Sequence, residues 1–291
     1  SSRFRRTSRL RHELSILLRR SGEAPEFDHR VSVCNIYDDI LTESFTRRSC
    51  TPLDVLADPT LHRLLIHAPG GAGKTSFLSA VALAGLDQGK VVFFLDLRLP
   101  LKTSQISSES VPEEVFRACS LSGGFAELQR AIKEVAPVLL VVDGLNELVS
   151  DTSELLLSRF DEYSRAHPNV QLLLADRMNP HPKAWICRGT MDPLTDAELD
   201  RVWPQDSIPP TSNTERTLLA LPFFLDMQLH LLASKRSRLS HGALTRNTMF
   251  QRYFERFAGL SSDQLSKVAS VAFKAYKVFR SRSIDPKWWG K

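Results

Sequence analysis

One short stretch, residues 64–78, constrains the fold more than any other part of the sequence. It opens with an apolar tripeptide, runs through His-Ala-Pro-Gly-Gly-Ala-Gly-Lys-Thr and closes with Ser-Phe-Leu. That order predicts a buried strand, a glycine-rich turn and the first turn of a helix. The start of a helix has unpaired backbone N–H groups and carries the positive end of the helix dipole. We therefore expect this turn to bind a phosphate.

The turn has the spacing of a P-loop, [AG]-x-x-x-x-G-K-[ST], with Ala68 at its first position. Its three glycines let the backbone wrap closely around a phosphate. We expect Lys74 to reach the β- and γ-phosphates and the Thr75 hydroxyl to ligate Mg²⁺. The alternative is an ordinary glycine-rich loop before a helix. The predicted nucleotide-binding residues of the loop are Ala68, Pro69, Gly70, Gly71, Ala72, Gly73, Lys74, Thr75 and Ser76.

A P-loop also requires an acidic partner for Mg²⁺, and the apolar run 138–142 leads directly to Asp143. A carboxylate at the carboxyl end of a parallel strand faces the ligand crevice, whereas its burial elsewhere is costly without a partner. We expect this strand to lie beside the P-loop strand. Glu147, four residues further on, is predicted to orient a water for attack on the γ-phosphate. The alternative is a strand-to-helix turn with an acidic cap.

Apolar runs alternate with helical patterns over the first two thirds of the chain. This alternation predicts an α/β fold with a doubly wound parallel sheet. Together with the P-loop motif it predicts the fold of a P-loop NTPase, followed by a smaller α-helical module. The change comes at about Asp192, beyond which prolines interrupt the chain and the periodicity is helical. The predicted strands are 31–37, 64–67, 91–97, 138–142 and 170–175, and the predicted helices are 3–20, 51–56, 74–88, 112–119, 124–135, 154–165, 217–234 and 245–277.

We expect four segments along the chain. Residues 1–30 are a basic amphipathic N-terminal helix or linker, and residues 31–192 are the P-loop NTPase domain. Residues 193–258 form a helical domain, and residues 259–291 begin a further helical or winged-helix region that is expected to be truncated. The chain opens with Ser1 rather than methionine, which fits a piece of a longer protein, a processed start or a tag.

The net charge of +5 is concentrated at the two ends of the chain. Residues 1–20 carry +6 and residues 263–291 carry +5, so the rest of the chain is acidic. A basic surface for nucleic acid or acidic lipid would lie at these ends, and the alternative is a solvated basic helix or linker. Trp288 and Trp289, flanked by lysines, fit either contact with a partner or nucleic acid, or packing against a following domain.

Neither a membrane span nor a disulfide or zinc framework is predicted. No apolar run approaches the roughly 18 residues that a spanning helix needs, and no secretory signal opens the chain. The cysteines are scattered without a C-x-x-C pair, which favours reduced, buried thiols. We therefore expect a cytoplasmic protein.

The sequence resembles the NACHT family of signal-transduction NTPases, which belongs to the STAND class. Four stretches carry the resemblance: LLIHAPGGAGKTS, the strand VVFFLDLR, the strand VLLVVDGLNEL, and NVQLLLADRMNP followed by MDPLTDAELDRV. The third is close to the family's D-G-x-D-E version of the Mg²⁺ strand. The fourth looks like its sensor-arginine strand and the helix entry that follows. A further stretch, LLALPFFLDMQLHLL, looks like the helical segment whose proline packs near the nucleotide base.

The resemblance implies a role for each matched residue. Glu147 would position the hydrolytic water, and Arg177 would sense the γ-phosphate. Pro222 would line the base pocket, and residues 37–40, before the P-loop, would touch the base. The implied catalytic residues are Lys74, Asp143, Glu147 and Arg177, and the implied Mg²⁺ ligands are Thr75 and Asp143.

Two positions depart from the family pattern. Asn146 stands where the family often has an aspartate, so one negative charge near the catalytic water is missing. Asp176 stands directly before Arg177, where its carboxylate can pair with the sensor arginine. Both departures predict slow or regulated hydrolysis with nucleotide binding retained.

The resemblance implies a signalling switch that binds and slowly hydrolyses ATP, with ATP/ADP and Mg²⁺ as cofactors. Exchange of ADP for ATP would control self-association in an innate-immune or antiviral defence protein, whose effector and sensor domains lie outside this chain. One alternative is a motor or loader ATPase that acts on nucleic acid through the basic ends. A second alternative is a nucleotide-gated scaffold without significant turnover.

Overall fold

The computed structural model describes most of the chain and leaves gaps between the described ranges. The helices and strands below, and every contact, belong to those ranges. The described residues are 2–19, 29–35, 48–97, 111–145, 150–176, 187–233, 244–257, 259–261, 263–267 and 270.

A single seven-stranded sheet organises the first part of the chain. The strands are β1 Val31–Asn35, β2 Arg48–Cys50, β3 Arg63–His67, β4 Val91–Asp96, β5 Val138–Asp143, β6 Val170–Asp176 and β7 Cys187–Met191. Their order across the sheet is β2-β1-β7-β3-β6-β5-β4. The five strands from β7 to β4 are parallel, whereas β1 pairs antiparallel with both β7 and β2.

Helices alternate with these strands. In the part of the chain that contains the sheet they are α1 Ser2–Arg19, α2 Pro52–Ala57, the short 3₁₀ helix Pro59–Leu61, α3 Lys74–Asp87, α4 Val111–Cys119, α5 Phe125–Lys133 and α6 Ser150–Ala166. Every residue of β5 and β6 is buried, as continuous apolar runs in a covered parallel sheet require.

Both faces of the sheet are covered by helices. α3 packs on β4, β5 and β6, and α4, α5 and α6 pack on the same three strands. Side chains alternate between faces along a strand. Accordingly, Leu139 lies against Gly85 of α3, whereas Leu140 joins a buried cluster with Phe116 of α4 and Phe160 of α6. The predicted doubly wound α/β fold is confirmed, and its antiparallel edge is an addition to the prediction.

The basic N-terminal helix α1 packs on α3 rather than standing free in solvent. Leu10 and Leu14, which share one face of the helix, are 2% and 0% exposed. On its polar side the Arg11 guanidinium lies 2.6 Å from the carboxylate of Asp87 at the end of α3. The amphipathic pattern therefore marks a buried face.

Two strands were not predicted from the sequence, β2 and β7. β2 has only three residues and β7 contains Gly189, so neither has the apolar run by which a buried strand is recognised. The glycine is required where three strands meet. A Cβ on Gly189 would lie only 2.6 Å from a methyl group of Val31 on β1, and it would also contact Leu64 on β3.

From Pro193 onward the described residues form a second compact unit, which is helical. Its helices are α7 Asp196–Val202, α8 Asn213–Leu219, α9 Pro222–Ala233 and α10 Arg246–Phe257. Capping boxes begin α7 and α8: Thr195 pairs with Glu198, and Ser212 pairs with Glu215. Its core contains Leu219, Leu225 and Met249 among its fully buried residues. The division into four segments stays a prediction.

The side chains of Cys50, Cys119 and Cys187 are buried free thiols, as expected for these three cysteines. Burial, with the nearby carboxylate of Asp96 as a smaller cause, raises the pKa of Cys119 to about 12. This thiol therefore stays protonated at neutral pH. Among the described helices, none combines the length and the apolar character that crossing a bilayer demands.

Candidate nucleotide-binding site

The glycine-rich loop connects β3 to α3 as the sequence predicts. Gly71 and Gly73 both have φ of +86°, a left-handed conformation that glycine adopts without steric cost. Ala68 and Ala72 are buried and hold the two sides of the loop in the protein. The Ala68 N–H donates to the carbonyl of Asp176 at 3.4 Å, which ties the loop to the end of β6.

The backbone of this loop presents donors to solvent. Gly73 is the N-cap of α3 and supplies no side-chain cap. Within the described part of the chain, the N–H groups of Gly71, Gly73, Thr75 and Ser76 donate to no protein acceptor. Unsatisfied N–H groups at the start of a fourteen-residue helix, where the dipole is positive, are a site for an anion.

Lys74 lies at the mouth of the same loop. Its Nζ donates to the carbonyl oxygens of Ala68 at 2.5 Å and of Pro69 at 3.1 Å, and the residue is only 9% exposed. The ammonium group is thus held across the loop by the loop's own carbonyls. A phosphate tail in this turn would meet both the backbone donors and this cation.

The second half of the site comes from β5. Asp143, its last residue, is 4% exposed, and its Oδ2 accepts a hydrogen bond from the Thr75 hydroxyl at 2.6 Å. A buried carboxylate requires such a partner. The loop and the acidic strand, which are 68 residues apart in sequence, are therefore in direct contact.

The expectation that the acidic strand lies beside the P-loop strand is wrong, because β6 lies between β3 and β5. The contact forms nevertheless because the helix, not the strand, bridges the distance. α3 contacts β4, β5 and β6, so it crosses over β6 and brings Thr75, in its first turn, above the end of β5.

The pair formed by Thr75 and Asp143 fits a magnesium ion. Both ligands are oxygen atoms, which Mg²⁺ prefers, and they already lie within hydrogen-bonding distance of each other. In the described ranges no group of three or more His, Cys, Asp or Glu residues could hold a metal. The rest of the coordination would come from phosphate oxygens and water, as is usual for Mg²⁺.

A second buried carboxylate, Asp96, lies beside Asp143 and was not predicted. The two residues are directly opposite in the parallel pairing of β4 and β5, so their side chains extend from the same face of the sheet. Asp96 is 5% exposed. It ends an apolar run, VVFFL, just as Asp143 ends VLLVV. The rule that identified Asp143 could therefore have identified Asp96.

His29 also lies at the site and had no signal in the sequence. Its ring lies over the glycine that begins α3: a Cβ built on Gly73 would lie 2.7 Å from Cε1 and 2.8 Å from Nδ1. His29 lies 44 positions before Gly73 in the chain. No local spacing connects it to the P-loop.

Several predicted site residues lie outside the described ranges. They are the catalytic candidates Glu147 and Arg177, the departure Asn146, and the base-contact segment 37–40. Asp176, the other departure, is buried at the end of β6. Pro222 is the first residue of α9 in the helical unit. Its role at a nucleotide base stays a prediction.

A glycine-rich loop with the spacing of a P-loop and a buried carboxylate therefore meet at one end of a doubly wound α/β sheet, which is the fold class that the sequence predicts. No protein-family model matches the sequence, and no curated protein matches it either. Among solved structures the matches are weak in both sequence identity and TM-score.

Three of these structures indicate the degree of likeness. The replication initiator DnaA, bound to AMPPCP and single-stranded DNA, is 13% identical, with 78% of this chain and 59% of that chain covered and a TM-score of 0.33. RuvB, the Holliday junction branch migration motor of Thermotoga maritima, is 12% identical. The match covers 75% of this chain and 69% of RuvB, with a TM-score of 0.33. C. elegans PCH-2 is 16% identical, and the match covers 86% of this chain and 66% of PCH-2, with a TM-score of 0.34. Likeness of this size defines neither a family nor a function.

We expect Thr75→Val to lower the free energy of unfolding of the nucleotide-free protein by about 1–3 kcal/mol, because it removes a hydrogen bond to a buried carboxylate. Ser79→Ala is the control, since the Ser79 hydroxyl lies on the same helix, is buried and has no hydrogen-bond partner. Urea unfolding followed by circular dichroism measures both. Equal losses in the two variants would contradict the structural role of the Thr75–Asp143 bond.

Proposed function

We propose that the protein is a nucleotide-dependent signalling switch that binds ATP and ADP with Mg²⁺ and hydrolyses ATP slowly. The observation that carries this proposal is the 2.6 Å hydrogen bond between the Thr75 hydroxyl and the Asp143 carboxylate. It joins a loop suited to a phosphate tail with a carboxylate suited to magnesium. An ordinary glycine-rich loop would have no reason to end against a buried acid.

In this proposal each described residue of the site has a distinct task. The backbone N–H groups of Gly71, Gly73, Thr75 and Ser76 bind the phosphates. Lys74 leaves its loop carbonyls to contact the β- and γ-phosphates. Thr75 and Asp143 hold Mg²⁺, which when bound neutralises the charge that builds up on the phosphates during hydrolysis. Asp96, on the same face as Asp143, adds negative charge beside the metal position.

Two further tasks rest on the family resemblance. Glu147 accepts a proton from the attacking water and orients it, and Arg177 contacts the γ-phosphate. Asn146 leaves the water with one carboxylate fewer than the family pattern has. Asp176 competes with phosphate for Arg177. These two positions are why the proposed turnover is slow.

The switch follows from the single phosphate by which ATP and ADP differ. Lys74 and Arg177 contact that phosphate in one state only, so the two nucleotides stabilise different conformations. In the ADP state the helical module, with Pro222 at the base, closes over the nucleotide. ATP reopens it and exposes surfaces for self-association. The resemblance to NACHT proteins extends the proposal to innate-immune or antiviral defence in the cytoplasm, with effector and sensor domains outside this chain.

We expect Lys74→Ala to weaken ATP and ADP binding by at least about 100-fold, because two charge-assisted hydrogen bonds to phosphate are lost. Lys133→Ala, at an exposed position near the end of α5, is the control and should bind as the wild type does. Isothermal titration calorimetry gives both affinities, and thermal melting without nucleotide verifies folding. Unchanged affinity in a folded Lys74→Ala protein would remove the site assignment.

We expect Asp143→Asn to spare nucleotide binding and to reduce turnover by about 100-fold or more, because the metal partner is lost. ATP affinity in excess EDTA should match the wild type, whereas the gain in affinity on adding Mg²⁺ should disappear. The control is Asp87→Asn, which changes an exposed carboxylate at the last residue of α3, far from the loop. A Mg²⁺-dependent gain as large as that of the wild type would contradict the role of Asp143.

We expect nucleotide state to control the mass of the full-length protein. The ADP complex should be monomeric, and a non-hydrolysable ATP analogue should produce a larger assembly in light scattering coupled to size exclusion. Lys74→Ala should stay monomeric with either nucleotide. A monomer in every state would count against the switch while leaving nucleotide binding intact.

A further inference from the structure

The orientation of the His29 ring carries an inference that rests on the proposed function and extends it. The three atoms nearest to a Cβ built on Gly73 are Cε1 at 2.7 Å, Nδ1 at 2.8 Å and Nε2 at 3.6 Å. These are the two ring nitrogens and the carbon between them. The polar edge of the imidazole is therefore directed at the loop.

The target of that edge is the start of α3, where Gly73 is the N-cap. The N–H groups that would hold the phosphates belong to Gly73 and its neighbours, so a phosphate bound there lies within a few ångströms of the ring. An imidazole always has at least one N–H donor, even when it is neutral. It can donate to a phosphate oxygen without first gaining a proton.

The backbone around His29 is anchored by the sheet. Two residues later Val31 begins β1, where it pairs with Met191 of β7. The carbonyl of Arg30 accepts a hydrogen bond from the N–H of Asp192 at 3.0 Å. The backbone from which the ring extends is thus positioned before any ligand arrives, which reduces the entropy that binding costs.

We propose that His29 is a phosphate-contacting residue of the nucleotide site, with an imidazole N–H that donates to the triphosphate tail. The segment before β1 thereby becomes part of the binding site. This contact supplements the backbone cradle and Lys74. It is directed at the phosphates rather than at the base.

The test compares three variants in direct binding measurements. His29→Phe keeps a flat ring and removes the donors, and His29→Gln removes the ring and keeps an N–H donor at a similar reach. Arg30→Ala, at the exposed neighbouring position, is the control. The probes are ATP, inorganic tripolyphosphate and adenosine, each titrated by calorimetry. Thermal melting without ligand shows whether each variant is folded.

We expect His29→Phe to weaken ATP and tripolyphosphate by about tenfold, the effect of one hydrogen bond to a charged group. His29→Gln should recover most of that loss, Arg30→Ala should lose less than about twofold, and adenosine binding should not change. If His29→Phe does not fold, His29→Ala takes its place with the same expected loss.

Two results would overturn the inference. One is a His29→Phe protein that binds tripolyphosphate as the wild type does; the other is a loss confined to ATP and adenosine, which would assign the ring to the nucleoside. If Lys74→Ala weakens ATP binding and His29→Phe does not, this inference fails and the proposed function stands. Absence of Lys74-dependent ATP binding in the wild-type chain would remove the proposed function and the inference with it.

Discussion

The contact between the Thr75 hydroxyl and the Asp143 carboxylate is the interaction on which the site depends. Asp143 is almost fully buried, and a buried carboxylate costs several kcal/mol unless a donor or a cation compensates its charge. The first turn of α3 supplies that donor. In the sheet β6 lies between β3, which leads into the loop, and β5, which ends at Asp143. The contact therefore requires a helix that crosses β6 rather than two adjacent strands. Loop, helix and acidic strand are thus positioned as one unit.

The main feature of the loop is its backbone, which supplies N–H donors. Gly71 and Gly73 take a left-handed conformation, and the N–H groups around them remain available because no side chain caps α3. The side chains that do approach are polar and come from different elements: Lys74 from the helix, and His29 from the segment before β1. In the proposed function such a site holds a charged tail by many donors, each of which contributes modestly. The affinity it can reach depends on how well these donors are held in place beforehand.

Much of the fold could be predicted because its central strands are mostly apolar. β4, β5 and β6 are covered on both faces, so their sequences are hydrophobic runs, interrupted only by Gln171, that end in an aspartate. β2 and β7 could not be predicted in the same way. β2 has three residues, and β7 carries a glycine and polar residues in place of an apolar run, so both are defined by their pairing with β1. The burial of α1 against α3 follows from its leucine face, although its six arginines alone would fit a solvated helix equally well.

By itself the sequence determined the glycine-rich loop between a strand and a helix, the class of fold and the carboxylate at the end of β5, because glycine spacing, apolar runs and the residues that follow them are local properties of the chain. Only the tertiary structure decided that β6 separates β3 from β5, that Asp96 stands beside Asp143, and that the ring of His29 lies on Gly73. These are contacts between residues far apart in sequence. Strand order and helix crossing bring them together, and neither leaves a periodic signal in the chain.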